Sequence, residues 1–124
     1  MVGAVIVTHG NLARALMDAV EMTLGPQTDV VTLSNEGASL EQIIERVRPH
    51  AERTPVALFV DFCGGSPYIA CKSLQHNRDG CAVLSGVNLP MLFSFFTKRD
   101  KLSFAELIAV VETDGHRGIQ LISP

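Results

Sequence analysis

Tryptophan is absent from the sequence and tyrosine occurs once, at Tyr68. No loop joins a phosphate-binding glycine motif to a lysine. The chain therefore has little with which to stack on and hold a nucleotide or flavin ring. Cysteine is scarce as well. Cys63, Cys71 and Cys81 are odd in number and show no paired spacing, which argues against a disulfide framework. They read as small hydrophobes in a reducing cytoplasm, and only Cys63 stands out, because it lies in a glycine-rich loop. With no C-x-x-C and no two histidines three or four residues apart, zinc is disfavoured, and neither a metal nor a cofactor is expected. No apolar run reaches the roughly 18 residues of a membrane span. Val2 to Val7 is too short for a signal peptide and has no Lys or Arg before it. An excess of charge is also missing: 10 Lys and Arg against 13 Asp and Glu leave a net charge of -3. That balance offers nothing to nucleic acid or an anionic membrane surface.

What is present is enough for one domain, residues 1–124. An apolar fraction of 47% over 124 residues supplies a real core. Val2 to Val7 reads as a buried parallel strand. Leu12, Leu16 and Val20, with Ala13 and Met17 beside them, predict an amphipathic helix, closed by Leu24-Gly25-Pro26. Asp29 to Leu33 is a second strand. Ser39 and Gln42 form a capping box for a helix that buries Leu40, Ile43, Ile44 and Val47 and ends near Pro49. Val56 to Val60 is a third, central strand. A helix follows from Pro67 to about His76, with Ser66 as its N-cap. Cys81 to Leu84 is a fourth strand, and a helix runs from Pro90 to about Lys98. A second capping box, Ser103 and Glu106, opens a last helix that buries Phe104, Leu107, Ile108 and Val111. The tail, Gly118 to Ile122, alternates apolar and polar residues, as an edge strand does. The order βαβαβαβααβ predicts a doubly wound, mainly parallel α/β sheet sandwiched by helices.

Such sheets collect their chemistry at the carboxyl ends of the strands. Four loops leave that edge here: His9-Gly10-Asn11, Ser34-Asn35-Glu36-Gly37, Asp61 to Ser66, and Ser85 to Asn88. His9 ends the first strand and Asp61 the third, and these two strands can be neighbours. A carboxylate there can accept a hydrogen bond from one imidazole nitrogen, fix the tautomer, and leave the other nitrogen's lone pair free to attack. Ser66 and the Gly64-Gly65 backbone can offer donors to an anion at a helix N-terminus. Nucleophile, orienting carboxylate and anion cradle together describe a phosphohistidine site. His50, His76 and His116 fall at helix ends or in loops and read as solvated.

Three segments carry a resemblance: Val5-Ile6-Val7-Thr8-His9-Gly10, Asp61-Phe62-Cys63-Gly64-Gly65-Ser66-Pro67, and Gly86-Val87-Asn88-Leu89-Pro90-Met91-Leu92. In this order, each at the carboxyl end of a strand, they resemble the IIA component of the mannose family of the bacterial phosphoenolpyruvate-dependent sugar phosphotransferase system. The resemblance covers essentially the whole chain. It implies that His9 is the phosphoacceptor, taking phosphate from the phosphocarrier HPr and passing it to a IIB component. Asp61 would be the imidazole's partner, and Gly10, Asn11 and Ser66 would cradle the phosphoryl group, beside the Gly64 and Gly65 backbone already read as phosphate-binding. It implies a cytoplasmic homodimer in which the last strand is antiparallel and exchanged between subunits. It also implies that the linker and IIB domain carried by some relatives are not part of this chain. Cys63 departs from the family, which commonly has a bulky apolar or aromatic residue there, and this bears on the shape of the site's rim. A regulatory module read through its phosphohistidine would use the same surface. Thr8-His9-Gly10 is also similar to the R-H-G of histidine phosphatases, but Thr8 stands where that family needs an arginine.

Overall fold

The computed structural model describes every residue from Met1 to Pro124. Four strands, β1 (Gly3–Thr8), β2 (Val30–Ser34), β3 (Val56–Val60) and β4 (Cys81–Ser85), alternate with α1 (Leu12–Leu24), α2 (Leu40–Ala51) and α3 (Ser66–Gln75). Two consecutive helices, α4 (Leu89–Lys98) and α5 (Phe104–Arg117), complete the described elements. The strands form one sheet in the order β2-β1-β3-β4, and all three pairings are parallel. The α/β class and the sandwich of helices are as the element order predicts.

The two central strands are apolar because both their faces are covered. Side chains alternate between two cores. Ala4, Ile6, Ala57 and Phe59 pack with Met17, Val20, Leu92, Phe95 and Leu107, from α1, α4 and α5. Val5, Val7, Leu58 and Val60 pack with Ile43, Val47, Ala70, Cys71 and Leu74, from α2 and α3. Fully burying one such aliphatic or aromatic side chain is worth about 1.5–3 kcal/mol, so the sheet is held from both sides. Cys71 and Cys81 are buried in the second core while Cys63 is exposed. Burial pushes the Cys71 thiol up to about 12, so it packs as an inert hydrophobe.

Helix ends follow the sequence closely in two cases. Ser39 with Gln42 and Ser103 with Glu106 both form complete capping boxes. Gly25 ends α1 with φ +82°, and its N–H donates to the Glu21 carbonyl. At the opposite edge from the loops described above, Arg99 is buried. Its guanidinium donates to the Val2 carbonyl (3.2 Å) and the Thr28 carbonyl (2.8 Å) and lies 5.0 Å from the Phe96 ring centroid. This fastens α4 to the start of β1 and the approach to β2.

Four expectations need correction. The face of α1 that meets the sheet is Ala13, Met17 and Val20, whereas Leu12 is exposed. Helix α2 runs through Pro49 to Ala51. The proline lies in its last turn, where it removes only one hydrogen bond, and both Pro49 and Glu45, four residues earlier, face solvent. Ser66 is not the N-cap of α3: Gly65 holds that position with φ -83° and ψ 173°, and Ser66 is the first helical residue. Lastly, Gly118 to Ile122 forms no strand within the chain. Ile119, Leu121 and Ile122 are 83%, 93% and 79% exposed, and the outer edge of β4 has no neighbour. No helix is long and apolar enough to cross a membrane.

Candidate active site

The register aligns the ends of β1 and β3, with Val7 paired to Val60. The residues that follow, His9 and Asp61, are therefore side by side. Asp61 Oδ2 lies 2.8 Å from His9 Nδ1 and accepts the His9 backbone N–H at 3.0 Å. Its other oxygen, Oδ1, accepts the N–H of Phe62 at 3.1 Å. Burial alone pushes the Asp61 carboxyl up. The hydrogen bonds from the His9 backbone and side chain, together with the His9 charge, outweigh it and hold the group below its ordinary value of 3.8. An ionised Asp61 favours the tautomer with the proton on Nδ1. Nε2 then carries the free lone pair on a side chain that is 42% exposed, against 12% for Asp61.

The backbone beneath His9 is tied from several directions. Thr8 is fully buried, and its Oγ1 accepts the N–H of Ala13 at 2.8 Å and donates to the His9 carbonyl at 3.2 Å. Thr8 thus does the capping of α1 that Asn11 does not: Asn11 holds the N-cap position without a side-chain bond. Gly10 turns the chain at φ +56°, and its N–H donates to Asn35 Oδ1 at 3.3 Å. The Asn35 N–H in turn donates to the Thr8 carbonyl at 3.1 Å.

The glycine loop closes the other side. Gly64 takes φ +121°, a conformation that strains any residue with a side chain. Gly65 approaches the imidazole so closely that a Cβ there would lie 2.5 Å from Cε1 and 2.9 Å from Nε2 of His9. Ser66 comes next, in the first turn of α3, where the backbone N–H groups have no intrahelical partner. The structure thus brings His9, Asp61 and Gly65 into direct proximity, with Gly64 adjoining them in the same loop and Ser66 opening α3. Gly10 and Asn11 continue the chain from His9. Asn88, in the fourth loop, is structural: it caps α4 by accepting the Met91 N–H at 2.9 Å and donates to the Gly115 carbonyl at 3.3 Å.

Three residues of the site were not assigned a role from the sequence. Thr8 had a signal, a hydroxyl at a strand end five residues before the first buried helical position. Asn35 lay in a loop already placed at this edge, but its partner is set by tertiary structure. Phe62 stacks on the His9 ring, with centroids 5.1 Å apart and planes 15° from parallel, and nothing in its local sequence announces that.

Comparison with known proteins places the chain in a family. A family described as the PTS system fructose IIA component, EIIA-man, matches residues 3–112. The PTS system mannose-specific EIIAB component of Escherichia coli K12 is 32% identical across 98% of the chain, and the chain spans 39% of that relative's length. The PTS system fructose-specific EIIA component of Bacillus subtilis is 25% identical across 99% of the chain and 88% of the relative. The crystal structure of phosphotransferase system component EIIA from Streptococcus agalactiae superposes with a TM-score of 0.90 at 26% identity, over 97% of this chain and 96% of that one. A match of this length, joined to a shared fold, settles the assignment: the chain belongs to the mannose-type IIA family of the sugar phosphotransferase system.

Proposed function

We propose that this chain is a phosphoryl carrier of a sugar phosphotransferase system, loaded on Nε2 of His9 by an HPr-type phosphocarrier and unloaded by a IIB component. The observation that carries the reading is the 2.8 Å contact between His9 Nδ1 and Asp61 Oδ2, which leaves Nε2 as the nucleophile. In the loading step the Nε2 lone pair forms a bond to phosphorus. The P–N bond to the donor imidazole breaks, and its electron pair stays with the departing ring. The proton on Nδ1 remains there, held by Asp61, whose negative charge offsets the positive charge that develops on the His9 ring. The first-turn N–H groups of α3, with Gly64, Gly65 and the Ser66 hydroxyl, receive the phosphoryl oxygens. Gly10 and Asn11 bound the cradle from the other side. Unloading is the same step in reverse, onto the IIB acceptor. The reading places the chain in the cytoplasm with its phosphocarrier, and it requires no cofactor.

The same reading includes a homodimer. The outer edge of β4 is free, and the tail from Gly118 to Ile122 is alternating and exposed. Addition of one subunit's tail to the other's sheet, made reciprocally, closes a two-fold assembly and covers both edges.

The deciding experiment is incubation with phosphoenolpyruvate, enzyme I and HPr, followed by localisation of the phosphate. The wild-type chain is expected to acquire an acid-labile, base-stable label on His9, and His9→Ala to acquire none while remaining folded. A label that persists in His9→Ala would overturn the assignment.

A further inference from the structure

Phe62 is a large aromatic residue that belongs to neither core and is 52% exposed. An exposed ring of that size usually needs no explanation, but this one has a specific contact. It lies nearly parallel to the His9 imidazole, 5.1 Å between centroids and 15° between planes. Its own N–H holds Asp61 Oδ1 at 3.1 Å, while Asp61 Oδ2 engages the imidazole. Residue 62 therefore touches both members of the pair, through its backbone at the carboxylate and through its ring at the imidazole. Gly65 stands against the Cε1–Nε2 edge, and a Cβ there would lie 3.3 Å from Phe62 Cζ. The hydrogen bond at Nδ1 fixes one atom of the imidazole but does not by itself fix the plane, because a ring held at one nitrogen can still rock about that bond. A flat neighbour removes this freedom.

We propose that Phe62 is a positioning residue for phosphoryl transfer: stacked on His9, it fixes the plane of the imidazole, so that the Nε2 lone pair keeps one direction of attack. This rests on the reading of His9 as the phosphoacceptor. Aromatic stacking contributes beyond simple burial, and rate depends steeply on the alignment of reacting atoms. Phe62→Leu retains an apolar side chain and the backbone contact to Asp61 but loses the flat face. Phe62→Tyr restores it.

The test uses two phosphoryl donors on the full chain: phosphorylated HPr, which must dock, and phosphoramidate, which is too small to use a docking surface. Phe62→Leu is expected to take up phosphate from both donors more slowly by about three- to tenfold, with the KM for HPr unchanged. Phe62→Tyr is expected to restore both rates. In parallel, the NMR signals of the His9 ring protons should show a ring-current shift in the wild type and Phe62→Tyr that is lost in Phe62→Leu. A Phe62→Leu rate with phosphoramidate equal to wild type overturns the proposal. So does an effect confined to the KM for HPr, which makes Phe62 a docking contact. If wild-type His9 is labelled by neither donor, it is the acceptor assignment that fails. A labelled His9 with an indifferent Phe62 refutes positioning alone.

Discussion

Replacing Gly65 by alanine adds a single methyl group at the point of closest approach to His9. The backbone tolerates the change, since φ -83° and ψ 173° suit any residue. Gly→Ala at a compatible position stabilises by roughly 0.4–1 kcal/mol through the unfolded chain. Alanine is a poorer N-cap than glycine, which offsets part of this. The net change in stability is therefore expected to stay within about 1 kcal/mol, a few degrees in Tm. The site is affected very differently. The new Cβ would sit 2.5 Å from His9 Cε1, whereas ordinary contact begins at 3.4 Å. The imidazole must retreat by close to 1 Å, at the expense of its bond to Asp61 or its stack on Phe62. A displacement of ~1 Å can cost on the order of 10²-fold in rate. The assay pairs rapid-quench measurement of phosphoryl uptake from phospho-HPr with thermal unfolding of the same preparation. A slow, stable Gly65→Ala protein is expected. A variant that loads at the wild-type rate would refute the argument that the glycine makes room for the imidazole, and one that is slow only because it is unfolded would refute the claim that the backbone accepts alanine.

Asp61→Asn keeps the shape and loses the charge that orients the attacking ring, so transfer is expected to slow by about 10² to 10⁴, measured in the same quench assay. Because the Asp61 carboxyl sits below its ordinary value of 3.8 in the folded chain, its stabilising contribution is fully present above the unfolded value and is lost as pH falls through the lower folded one. The stability difference between wild type and Asp61→Asn should accordingly shrink below roughly pH 4 in urea titrations; a difference that grows in acid would reverse the sign. Deleting Gly118 to Pro124 is expected to convert a dimer into a destabilised, poorly soluble species in sedimentation, and a truncated chain that remains a well-folded dimer would show that the tail is not exchanged.

The sequence was most readable where one local rule decides the outcome. Short apolar runs located the four strands and period-3.6 patterns the five helices, and the two capping boxes held because each needs only residues three apart. The adjacency of His9 and Asp61 was readable because a doubly wound sheet offers few strand orders. The failures came where a local preference met a tertiary choice. Serine is a good cap at position 66, but the chain needs its closest approach to the imidazole one residue earlier, and only glycine fits there. On α1 the expected Ala13, Met17 and Val20 are buried, and only Leu12 differs: it is the first helical residue and faces solvent, at the point where Thr8 accepts the Ala13 N–H. Pro49 stops a helix in general, yet in a last turn at the surface it is tolerated. The tail's alternation was legible, but a strand exists only through its pairing, and within one chain it has none. Phe62 and Asn35 act over distances in sequence that no periodicity encodes.

Thr8 has a consequence for how the chain would be read by others. Its hydroxyl and carbonyl hold the His9 carbonyl, the entry to α1 and the Asn35 loop at once. A backbone pinned at so many points changes little when the ring it presents gains a group. Loaded and empty forms would then be nearly identical in outline. On the proposed reading, a partner that tells them apart would find no lid or altered loop to recognise and would have to sense the added negative charge itself. If His9 is the phosphoacceptor, as proposed, the signal passed to a partner would be electrostatic and not a change of shape.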